Sequence, residues 1–81
     1  MNWFNNDIRV YLRDKQWPKG YVPTIKSEPE GLIFILSQKD LESHNMDVVD
    51  YRQLEKVVGE SVEWIRSTGC PCYVRAVYDN G

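Results

Sequence analysis

The chain has 81 residues, with ten basic and twelve acidic side chains, a net charge of −2 and 42% hydrophobic residues. A chain this short buries only about 60–65% of the surface its unfolded form exposes. It therefore reads as one domain over residues 1–81 with little room for an enclosed ligand pocket. Slight acidity without a basic block disfavours a generic polyanion binder, which depends on many Lys and Arg contacts to phosphate.

The opening stretch MNWFNND lacks a charged segment followed by an apolar one, so it does not read as a secretory signal. Leu32–Leu36 is the longest apolar run, far short of the roughly 20 residues a membrane helix needs. The expectation is a soluble, cytoplasmic protein with reduced thiols and no membrane partner.

Asp7–Arg13 alternates, with Ile8, Val10 and Leu12 against Arg9, Tyr11 and Arg13. Period two predicts a strand with one buried side. Residues 14–31 carry Pro18, Gly20, Pro23, Pro29 and Gly31 and read as loop, with room for a short edge strand over Tyr21–Lys26. Leu32–Leu36 is apolar at every position, which suits a strand covered on both faces or one at the sheet centre. Ser37 is a plausible N-cap for a short helix over 38–44.

The clearest element follows. Asp50 and Gln53 have capping-box spacing, and Val49 and Leu54 are placed as a hydrophobic staple, predicting a helix over 51–68. At about 100° per residue, Tyr51, Leu54, Val57, Val58, Ser61, Val62 and Ile65 share one apolar arc. Arg52, Glu55, Lys56, Gly59, Glu60, Glu63 and Arg66 cover the other side, and Gly69 suits the left-handed C′ position. Cys72–Asp79 alternates again and reads as a strand parallel to the one before the helix. The expected architecture is α+β: a small mixed sheet of three to four strands with one long helix packed on one face.

Little in this inventory supports catalysis. Cys70-Pro71-Cys72 and the single His44 fall short of a zinc ligand set. In an extended strand alternate Cα atoms stand roughly 6.5–7 Å apart, at the limit for a disulfide. The two thiols are therefore expected to be reduced, with Cys72 packing as a small hydrophobe. His44 has no nucleophile context, the carboxylates suit helix N-termini and solvent, and no phosphate-cradling glycine pattern occurs. The sequence thus points to a non-enzymatic protein with no cofactor and no metal.

What the strands leave over is more informative. If the helix covers Ile8, Val10, Leu12, Cys72, Val74 and Ala76, the opposite sheet face carries Arg9, Tyr11, Arg13, Tyr73, Arg75 and Val77. Trp17 adds a large ring in a proline-containing loop, and Trp64 sits at the edge of the helical arc, placed to seal the helix against that loop. Tyr, Trp and Arg are enriched at protein-binding hot spots, and the same residues can stack bases and hold phosphates. The acidic balance favours a protein partner over single-stranded RNA or DNA. Small accessory or inhibitor proteins of phages and mobile elements often share this profile.

Overall fold

The computed structural model describes residues 3–68 and 72–80. Its elements are α1 (Asn6–Arg13), a 3-10 turn (Pro18–Gly20), β1 (Thr24–Ser27), β2 (Gly31–Ser37), α2 (Gln38–Ser43), α3 (Val48–Ser67) and β3 (Tyr73–Asp79). The strands form one mixed sheet in the order β1-β2-β3, antiparallel then parallel, with α3 packed against it. This is the small α+β architecture the sequence predicts, with three strands.

The first element departs from expectation: Asn6–Arg13 is a helix, not a strand. Asn5 caps it, its Oδ1 accepting from the Ile8 N–H at 3.0 Å, and Asp7 and Arg13 suit the dipole at opposite ends. The alternation Ile8, Val10, Leu12 is a short coincidence within a helical pattern. Phe4, Ile8, Tyr11 and Leu12 have i, i+4, i+7, i+8 spacing, and Ile8 and Leu12 are buried in the core. Trp17 folds back beneath this helix, its indole donating to the Leu12 carbonyl at 2.7 Å. That carbonyl lies in the last turn and also accepts from the Lys15 N–H at 3.2 Å, so the indole adds a second donor at the helix end.

The antiparallel partner of β2 is instead β1, inside the stretch where a short edge strand had room to form. Glu28 and Gly31 exchange backbone hydrogen bonds at 2.7 and 3.2 Å around Pro29-Glu30, with Pro29 at the turn position its fixed φ suits. Trp3 clasps this hairpin, its N–H donating to Ser27 Oγ at 2.9 Å and its indole to the Pro29 carbonyl at 3.1 Å. Gly31 is required by close approach: a Cβ there would lie 1.8 Å from the Tyr73 carbonyl oxygen of β3.

β2 is the central strand. Leu32, Phe34 and Leu36 face the helices and are almost fully buried. Against them stand Leu54, Val57, Val58, Val62 and Ile65, on the arc read from the sequence, with Ile8, Leu12 and Leu41 closing the cluster. Ser61 lies on that arc too, and its hydroxyl is satisfied by the Val57 carbonyl at 2.8 Å.

The long helix starts three residues earlier than expected. Asp47 is its N-cap, accepting from the Asp50 N–H at 2.9 Å while the Asp50 carboxylate accepts from the Asp47 N–H at 3.2 Å. Asp50 therefore closes the capping box from its third position instead of opening one. Val49, expected to staple the helix entry, lies inside the first turn and is exposed. Gly69, expected at C′, and Cys70 lie outside the described residues.

Cys72 is disulfide-bonded, which corrects the expectation of a reduced thiol. The geometric objection assumed an extended strand, whereas β3 begins at Tyr73 and Cys72 sits in a bend before it. Its side chain does pack against the core.

Candidate protein-binding face

Strand register decides which side chains share the sheet face away from the helices. Thr24, Ile35 and Val77 stand in one row across the three strands, and Lys26, Ile33 and Arg75 in the next. Paired positions point to the same side, and alternate positions to opposite sides. Ile33, Ile35 and Val77 are half-buried and lie outside the core cluster, which takes Phe34, Leu36 and Val74 from the other side. Tyr73 begins the β3 side of this face and is 63% exposed.

The face is thus an apolar stripe held between two cationic arms. Lys26 stands on one side of Ile33 and Arg75 on the other. Lys26 has Glu28 at 3.5 Å, whereas Arg75 has no carboxylate at ion-pair distance among the described residues. A depression of about 460 Å³ opens at the hairpin end, lined by Glu28, Glu30, Gly31, Ile33, Tyr73 and Arg75.

The residues singled out from sequence separate. Tyr73 and Arg75 occupy this face, but Arg9, Tyr11 and Arg13 are on α1 because that segment is helical. Tyr11 stacks flat on Trp64 of α3, with ring centroids 4.0 Å apart and planes 8° from parallel. Lys15, two residues past the end of α1, lies 4.8 Å from the Tyr11 ring and pairs with Glu60 at 3.3 Å, so these four side chains tie α1 and the turn after it to α3. Trp64 therefore seals α3 against α1 and not against the loop. Arg9 sits 4.6 Å from the Phe4 ring, Arg13 is exposed, and Trp17 is buried.

Ile33 and Ile35 are the face residues that sequence reasoning missed. A run of five apolar residues suits a strand covered on both faces or one at the sheet centre, and nothing local says that only one side is packed. The signal was in the inventory of elements: a central strand beneath a single helical layer must leave its other side chains outside. Among the described residues no group of three or more His, Cys, Asp and Glu side chains is placed to hold a metal ion, and no helix is long and apolar enough to cross a membrane. The chain matches no protein-family model, no curated protein and no solved structure.

Proposed function

We propose that this is a small non-enzymatic binding protein, of accessory or inhibitor type, that acts through the sheet face opposite its helices. The observation that supports this reading is the Ile33–Ile35–Val77 stripe, flanked by Lys26, Tyr73 and Arg75 and left half-exposed by the described residues. Isoleucine, valine and tyrosine are costly to leave in water, and Tyr and Arg are the residue types that anchor interfaces. An apolar centre between two cations suits a protein surface that presents an apolar side chain beside carboxylates. Single-stranded nucleic acid is the weaker reading. Arg9, Tyr11 and Arg13, which would have supplied phosphate contacts and stacking, stand on α1 instead.

A photo-crosslinking amino acid at position 35, compared with one at the exposed helix position 56, tests the proposal in lysate. Adducts specific to position 35, destroyed by protease and lost with Tyr73→Ala, are expected. Truncating a hot-spot tyrosine should weaken binding by about 2 kcal/mol or more. Nuclease-sensitive adducts whose yield falls steeply with salt would favour the nucleic-acid reading. Equal yields at positions 35 and 56 would exclude this face.

A further inference from the structure

The two edges of the sheet are built differently. β1 is four residues long and bracketed by Pro23 and Pro29, features that discourage further pairing. β3 is seven residues long, Tyr73–Asp79, without proline or glycine. Its backbone groups alternate. The Tyr73 N–H donates to the Glu30 carbonyl at 2.8 Å. Tyr73, Arg75, Val77 and Asp79 therefore turn their N–H and C=O groups toward β2, while Val74, Ala76 and Tyr78 turn theirs outward. The Val74 carbonyl is already taken by Arg66 of α3, which donates from Nη2 at 3.0 Å. Ala76 and Tyr78 keep outward donors and acceptors, with no strand beyond them among the described residues.

Burial sets the same edge apart. Phe34 and Leu36 on β2 are 0% and 2% exposed, yet their row neighbours Ala76 and Tyr78 are exposed, because the helical layer stops short of the edge. A groove of about 400 Å³ remains between α3 and β3, with Val58, Gly59 and Val62 on its helix wall.

The charges on β3 select the occupant. We propose that β3 pairs antiparallel with the β3 of a second copy of this chain, about a twofold axis at Val77, joining two three-stranded sheets into one. Ala76 of each copy then exchanges both backbone hydrogen bonds with Tyr78 of the other. Only groups that Arg66 leaves open are used. This register sets Arg75 directly opposite Asp79 of the second copy, twice by symmetry, in the closer class of antiparallel pair. Val77 meets Val77 between the two ion pairs. Shifting the centre to Ala76 would require the Val74 carbonyl and would set Arg75 against valine. Backbone availability and charge complementarity thus select one register. The inference stands on the strand edge and does not depend on the open-face reading.

Sedimentation equilibrium at low salt, at concentrations up to about 100 µM where a small interface is populated, tests it. The wild-type chain should approach twice its 9.5 kDa mass. Arg75→Glu and Asp79→Lys should each weaken dimerisation about tenfold or more, since each turns two attractive pairs into two repulsive ones. The double variant should recover the wild-type constant to within about threefold. Circular dichroism melts verify that each variant is folded, and the double variant keeps the test valid if one single variant is not. A wild-type monomer throughout the range, a dimer insensitive to both single changes, or a double variant that fails to recover would each overturn the proposal. So would an extended peptide from another protein occupying this groove on a monomeric chain.

Discussion

Asp47, Tyr21 and Gly31 each meet a specific demand of their position, a helix cap, a buried hydroxyl and a close strand approach. Asp47→Ala removes the side-chain acceptor that opens α3 and should cost about 0.5–2 kcal/mol in a denaturant melt. Tyr21 is buried, and its hydroxyl accepts from the Ser37 N–H at 3.2 Å where β2 ends. Burial raises its pKa, and burial together with the Glu55 carboxylate raises that of Tyr78. In both cases the folded state favours the neutral phenol. Their contribution to stability is therefore intact below pH of about 10, the ordinary tyrosine value, and is lost as pH rises through the raised folded values. Thermal melts across the alkaline range should show that loss, with a shallower fall in Tyr21→Phe. Gly31→Ala would drive a Cβ into the Tyr73 backbone and should cost roughly 1–3 kcal/mol, the range for overpacking.

At the scale of elements, α1 is the revealing case. Eight residues are too few to form a stable helix alone, so its conformation depends on docking. The docking contacts are Ile8 and Leu12 in the core, the Trp17 indole on the Leu12 carbonyl, and Tyr11 stacked on Trp64. A double-mutant cycle on Tyr11→Ala and Trp64→Ala should give a coupling of about 0.5–1.5 kcal/mol. A strand over the same residues would place Tyr11 on the far face of the sheet and give none. α3 needs less help. Its 20 residues carry a complete capping box and an unbroken apolar arc, so both its identity and its phase are local properties.

For the whole molecule, the governing fact is one helical layer on a three-stranded sheet. Burial is therefore lopsided, and stability should be too. Leu54→Ala, at 0% exposure in the shared core, should cost about 2–5 kcal/mol. Ile33→Thr, on the uncovered face, should cost less than half of that and instead weaken partner capture. Paired chemical melts and crosslinking yields of the two variants check this contrast. Equal losses of stability would mean that Ile33 belongs to the core.

Much of the fold was legible in the residues themselves. The apolar run at Leu32–Leu36, the arc of α3 and the alternation of β3 each state their element through local periodicity. Their order implies a parallel pair joined by a helix, and β2 and β3 are parallel. The segment Asp7–Arg13 was not legible, because seven residues fit both periods and only contact with Trp64 and the core selects the helix. The candidate site shared that fate. Tyr73 and Arg75 were readable from the alternation of β3, but their neighbours were not. That Ile33 and Ile35 join them, and that Tyr11 and Trp17 do not, depends on which segment pairs with β2 and which face the helices cover. Those are choices among surfaces distant in sequence, and packing alone makes them.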